Sequence, residues 1–272
     1  MRPISGFERE TFVAAWHAKR VWAAQFVGNA ALFAILYGWL RIPDAHVWQL
    51  LLTALIALAG LISFLWLHSS TLAYFQEANA TGSSVLSMLR SGLRHIPALL
   101  LVVALFVGVE WLLSQAQPYV PQTAGYVQHT LPRPARAHST PQNVLTVGRV
   151  ILWALQYLLL PLALLPLMSN ASARGFRSLR SADWLRRAFH WRWVVFYAVA
   201  LGVGWFLSVY LANKLIKVSG VAAQATSLAV RLFVAYLLAI TAWVCVASAL
   251  GRLPAPPGEE GATSAADSAN AG

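Results

Sequence analysis

Charge is what this chain has least of. Only 11% of its 272 residues are Asp, Glu, Lys or Arg, less than half the share of about 25% usual for soluble domains, which excludes a conventional water-soluble surface over most of the length. Acid is scarcer still, with nine Asp and Glu against twenty Lys and Arg. The single cysteine, Cys245, lies inside the last apolar block. It can form no internal disulfide and lacks the electropositive setting that activates a thiol, so it is expected to be a small apolar filler. The seven histidines never recur at a spacing of three or four, so no metal-ligand pattern forms. Also missing are a phosphate-binding glycine loop, a dinucleotide fingerprint, a Gly-x-Ser-x-Gly elbow and the paired carboxylates of glycosyl chemistry. The expectation is no catalytic residue, no cofactor and no metal.

What the chain does have is long apolar runs. Hydrophobic residues make up 58% of it, in blocks at about 22–41, 47–67, 97–115, 146–168, 193–213 and 225–249. A bilayer core asks for about 20 mostly apolar residues per helical crossing, so six blocks imply six crossings. The stretches between them are too short to bury an independent core. The expected fold class is therefore an all-α integral membrane protein, one domain over 1–253, its six helices arranged as three hairpins. The first block follows Arg2, Glu8, Arg9, Glu10, Lys19 and Arg20 and is too long for a signal-peptide core, so the reading keeps it as a crossing.

A formal net charge of +11 invites a nucleic-acid reading, but the basic residues are sorted by loop. The N-terminal segment, the second and fourth connections and the tail carry thirteen, and the intervening side carries five: Arg41, Arg133, Arg136, Lys214 and Lys217. Lys and Arg near membrane ends stay cytoplasmic, which orients the chain with both termini inside, in a bacterial cytoplasmic membrane. The expected partner is membrane lipid with anionic headgroups, worth about 1 kcal/mol per surface charge. A protein partner or a second copy is the other, and nucleic acid is not expected.

Basic amphipathic segments precede the odd-numbered crossings. Ser5-Gly-Phe-Glu8 has capping-box spacing ahead of Phe12, Ala15 and Trp16. In 83–96, Leu86, Leu89, Leu93 and Ile96 alternate with Arg90 and Arg94, and in 178–190 Leu179, Leu185 and Phe189 alternate with Arg180, Arg186 and Arg187. Each pattern suits a helix lying in the headgroup plane, and Arg90, Arg94, Arg180, Arg186 and Arg187 are the candidate headgroup contacts. An offset of 96 residues superimposes Leu89-Arg90 on Leu185-Arg186 and Val107-Gly108 on Val203-Gly204, as a parallel repeat would. The proline-rich stretch 116–145 reads as an extended connection on the outer side. Residues 254–272 read as a disordered tail.

Three charged residues inside the apolar blocks ask for a reason. Glu110, Arg149 and Arg231 all fall toward the outer side, where a carboxylate is costly unless paired, protonated or wet. They form either a structural clasp, Glu110 pairing with Arg231 or Arg149, or part of a polar substrate site. Pro161 and Pro166 kink or open the fourth crossing. Ala198-x-x-x-Gly202 and Ala200-x-x-x-Gly204 offer close helix contact in the fifth. His68 starts a polar run and reads as an interfacial histidine. The functional expectation is a non-enzymatic scaffold or accessory subunit engaging anionic lipid and partner proteins. The alternative is a transporter or channel for an ion or small anionic or lipid-like solute working around Glu110 and Arg231.

Overall fold

A computed structural model describes residues 4–43, 46–76, 85–180, 182–214, 216 and 219–253. It is 91% helical, with no strand among the described residues. In chain order come α1 (Ile4–His17), α2 (Lys19–Trp39), α3 (Val47–Gln76), α4 (Val85–Arg94) and α5 (Ile96–Ala116). A 3-10 turn, Gln117–Tyr119, carries α5 into α6 (Val120–Thr130), and α7 (Arg133–His138) follows. Next, α8 (Pro141–Ala154) runs through a π-helical turn, Leu155–Leu159, into α9 (Leu160–Arg174). The chain closes with α10 (Asp183–Ala188), α11 (Trp191–Leu201), a π-helical segment Gly202–Leu207, α12 (Ser208–Asn213) and α13 (Val221–Gly251).

Six helical runs are long and apolar enough to cross a membrane: Lys19–Trp39, Val47–Gln76, Ile96–Thr130, Pro141–Leu179, Trp191–Asn213 and Val221–Gly251. Their apolar residues go all the way round, as suits a helix in hydrocarbon rather than one half in water. A helix also satisfies its own backbone donors and acceptors, which hydrocarbon cannot do. This is a membrane protein of six candidate crossings.

The third and fourth runs overshoot a bilayer. At 1.5 Å per residue, Ile96–Thr130 is about 52 Å long against a hydrocarbon core of about 30 Å. The excess is the stretch expected to be extended, and that expectation fails: 117–130 and 133–138 are helical. The prolines explain it. Pro118, Pro121, Pro134 and Pro141 each fall in the first turn of a helix, where the missing N–H would have had no partner anyway. Thr140 then caps α8, its hydroxyl accepting from the Asn143 N–H at 3.2 Å. The α6 segment packs against α8.

Burial is concentrated at one end of the bundle, with scattered buried positions such as Gln49, Ala124, Gln156 and Ser208 outside it. Buried positions run from Leu65 to Phe75 on α3, Ala98 to Val102 on α5, Leu162 to Ser172 on α9 and Ile240 to Leu250 on α13. These are the C-terminal parts of α3, α9 and α13 and the N-terminal part of α5, joined by Val21 on α2 and Trp193 on α11. We call this the basic end, because Arg90, Arg94, Arg174, Arg177, Arg186 and Arg252 lie on the elements that close it. Away from it, α2 beyond Leu32 and α13 before Ala235 are mostly exposed. In α13 Gly251 packs so closely that a Cβ there would collide with the Phe75 carbonyl, and Gly204 does the same to Ala242. Gly204 therefore makes the close contact expected from small-residue spacing, while Gly202 has nothing within 4 Å of its would-be Cβ.

Two of the lead-in segments differ from their sequence reading. The α1 helix already includes Ile4, so it does not start at a Ser5 cap, and it buries Thr11 and Ala15 while Trp16 stays 75% exposed. The 178–190 stretch is not one amphipathic helix: a 3-10 run, Gly175–Arg180, is followed by the six-residue α10. Gly175 at φ +61 ends α9 ahead of this stretch, a conformation that costs any L side chain. The tail 254–272 lies outside the described residues.

Candidate functional site

Toward the open end, Glu110 is held by α5 opposite the π-helical turn ahead of α9. Gln156, almost fully buried in that turn, donates from Nε2 to Glu110 Oε1 at 3.3 Å and accepts from Gln117 Nε2 at 3.4 Å. The second carboxylate oxygen, Oε2, is buried with no hydrogen-bond partner. Gln156 and Gln117 also line an open cleft of about 330 Å3 with Arg149, Trp153 and Tyr157. The π-helical turn supplies the geometry, since such bulges shift side chains off the regular helical face.

The expected clasp does not form. Among the described residues no ion pair joins Glu110 to Arg149 or Arg231; an ion pair elsewhere joins Arg252 to Glu10 at 3.2 Å. The Arg231 Nε donates to the Ser227 carbonyl one turn back on its own helix at 3.1 Å, and Arg231 does not line the cleft. The reason lies in the packing partners: α5 lies on α9, whereas α13 lies on α11, α12, α3 and α1. A shared depth in the sequence did not make these residues neighbours around the bundle.

The basic end is tied together by polar side chains, of which the sequence reading weighed Gln25 as a cavity member or helix bridge and noted the run Ser69-Ser70-Thr71. Gln25 Nε2 donates to Thr71 Oγ1 at 2.6 Å, joining α2 to α3. Gln76 Nε2 donates to Ser169 Oγ at 2.6 Å, joining α3 to α9. Ser248 Oγ donates to the Thr11 carbonyl at 3.0 Å, joining α13 to α1, and His95 Nδ1 lies 2.9 Å from the Ser172 carbonyl. Trp66 Nε1 donates to the Leu89 carbonyl at 2.6 Å, fixing α4 on α3. A signal for this was present, because the second, fourth and sixth apolar blocks each end in small hydroxyl or amide residues: Ser69-Ser70-Thr71, Ser169-Asn170 and Ser248.

Proline chemistry adds another tie. Pro166 has no N–H for the Leu162 carbonyl one turn back, and Trp193 Nε1, fully buried on α11, donates to that carbonyl at 3.1 Å. One turn further on, the Tyr197 hydroxyl donates to the Tyr157 carbonyl at 3.4 Å, in the widened turn ahead of Pro161. The prolines of the fourth crossing thus create acceptors that α11 reads. His68, expected at an interface, is wedged edge-on between Phe64 and Trp243, its ring 4.2 and 4.9 Å from theirs.

Of the candidate headgroup arginines, Arg90, Arg94 and Arg186 are exposed. Arg187 is not: at 8% exposure it donates from Nη1 to Asn170 Oδ1 at 2.8 Å, and the headgroup expectation for it is withdrawn. It turns inward because α10 packs one face on α9. The Arg180 side chain lies outside the described ones. Beside this face, burial and the neighbouring Arg192 guanidinium hold His190 below the ordinary histidine value.

Comparison with protein-family models, with curated proteins and with solved structures finds no match to this chain.

Proposed function

We propose that the protein is a non-enzymatic membrane scaffold or accessory subunit whose basic end engages anionic lipid headgroups and whose bundle packs against partner proteins. In this reading the six crossings form three hairpins, the termini and the basic end face the cytoplasm of a bacterium, and α1, α4 and α10 lie near the headgroups. The observation that carries it is the exposure of Arg90, Arg94 and Arg186 on short helices around a polar-tied end. Pairing of α2 with α3, α5 with α9, and α12 with α13 supports the hairpins. Each surface charge contributes about 1 kcal/mol of attraction to an anionic leaflet. Replacing all three arginines by Gln is expected to abolish enrichment of phosphatidylglycerol over phosphatidylcholine in the lipid retained by the protein, read by mass spectrometry. Unchanged enrichment would contradict the reading.

A second reading, transport of an ion or small anionic or lipid-like solute, draws on the unpartnered Glu110 oxygen and the Gln156–Gln117–Arg149 cleft behind it. An intramembrane carboxylate is more often functional than decorative. Loss of solute flux through proteoliposomes in Glu110→Gln, with folding intact, would favour this reading over the first.

A further inference from the structure

Between α2, α3 and α4 runs a lateral groove of about 490 Å3, apolar except for Ser63 on one wall and Arg20 at its end. Its shape follows from side-chain size. Ala23, Val27 and Ala31 recur every fourth residue along α2 and leave a furrow. Beneath it Gly28 lets the helices close up, since a Cβ there would stand 2.7 Å from a Leu67 methyl. The far wall is fixed, because Trp66 is held by its hydrogen bond to the Leu89 carbonyl.

The groove has the dimensions and polarity of one lipid leaflet. From Arg20 to Ile35 it follows α2 for about 22 Å, enough to span the roughly 15 Å of hydrocarbon in a single leaflet. Its only charged residue is at the basic end, where headgroups would be in the scaffold reading. Arg20 is exposed, and it also contacts a group within the protein; a guanidinium carries five N–H donors, so it can hold a phosphate as well. Exposed Arg90, next in the chain to Leu89 of the wall, adds a second positive charge on the same side.

We propose that this groove holds one acyl chain of an anionic phospholipid, its phosphate bound by Arg20 at the mouth. The inference rests on the orientation and lipid reading above and names a particular site within it. Inside a bilayer the acyl chain gains no hydrophobic free energy by entering, because lipid tails surround it either way. Selection must therefore come from the fit of the furrow and the charge at its end.

The test uses the full-length protein in phosphatidylcholine vesicles carrying a minority of phosphatidylglycerol with a photoreactive group near the end of one acyl chain. Labelling is expected to concentrate on residues 23–35 and 63–67, and unlabelled phosphatidylglycerol, but not phosphatidylcholine, should compete it away. Ala31→Trp, at an exposed position, should abolish the labelling, and Arg20→Gln should lower it about fivefold, the worth of one surface charge. Labelling spread evenly over the exposed helices, or unmoved by Ala31→Trp, would overturn the proposal, as would equal competition by both lipids. Competition in the unaltered protein needs no variant, so a folding defect leaves the test intact. If the triple arginine variant loses anionic enrichment while the groove stays unlabelled, the groove falls and the scaffold reading stands. Focused, competed labelling without arginine-dependent enrichment would show the reverse.

Discussion

The last helix contrasts the two halves of the molecule within one element. From Val244 to Leu250, α13 is buried without interruption, whereas from Val221 to Val234 it is almost wholly exposed. Small and polar residues occur in both stretches, so composition alone does not separate them. Contact does: in and beside the buried part Ser248 donates to the Thr11 carbonyl and Gly251 closes on the Phe75 backbone, whereas in the exposed part Thr226 and Arg231 donate to carbonyls of their own helix beside Leu228, Val230, Leu232, Phe233 and Val234. In hydrocarbon a large apolar side chain is as well solvated by lipid as by protein, so helices adhere where small residues let backbones approach and polar groups bridge them. The basic half is built that way. The open half presents a face that lipid can cover.

The sharpest way to break this contrast is with two glycines. Gly251→Ala places a Cβ against the Phe75 backbone, which cannot rotate away, and should cost about 3 kcal/mol or more by overpacking. Gly108→Ala meets nothing within 4 Å and should leave stability unchanged or raise it by up to about 1 kcal/mol through helix propensity. Unfolding midpoints in detergent would measure both. Equal effects would mean that the halves are packed alike.

Next in size is the proline acceptor. Trp193→Phe strands the Leu162 carbonyl and should cost about 1–3 kcal/mol, the usual penalty for a buried unsatisfied group. Adding Pro166→Ala returns an N–H to that carbonyl and should recover part of the loss, a coupling that a double-mutant cycle reads directly. Additive losses would show that the indole packs but does not serve the carbonyl.

These contacts mark where the sequence was legible. Six apolar blocks gave the six helices, and loop charge singled out the end carrying Arg90, Arg94 and Arg186. Linear patterns do not say which helix sits beside which, so Glu110 was matched by depth with Arg231 when its partner is Gln156. The stretch 116–145 was misread because prolines were counted without asking whether each falls in a first turn. Arg187 was misread because a headgroup role was assigned to a whole segment, and one face of α10 turns inward. The serine and amide residues ending the even-numbered blocks were on view, yet the helix each of them bonds cannot be read from its position.

Smaller effects sharpen the same comparison. Gln25→Leu removes the bond to Thr71 and should cost about 0.6 kcal/mol, with about 1.7 as the upper range for such bridges, in the same unfolding assay. The smallest concerns His190, which holds its proton less readily folded than unfolded. The unfolded chain then takes up more protons as acid is added, so this contribution to stability is present above the ordinary histidine value, near 6.5, and declines as pH falls below it. A stability profile across that range should flatten in His190→Asn.

The central claim, a tied basic half and a lipid-covered open half, is tested most directly by spin labels in lipid bilayers. In a Cys245→Ser background, single cysteines at Leu58, Val107 and Val230, each more than half exposed, would be compared with cysteines at Leu72, Leu99 and Val244, each fully buried. The account expects the first three labels to be mobile and to collide freely with membrane-dissolved oxygen, and the second three to be immobilised and shielded. Immobilised, oxygen-shielded labels at Leu58, Val107 and Val230 would contradict it, showing that protein rather than lipid covers the open half.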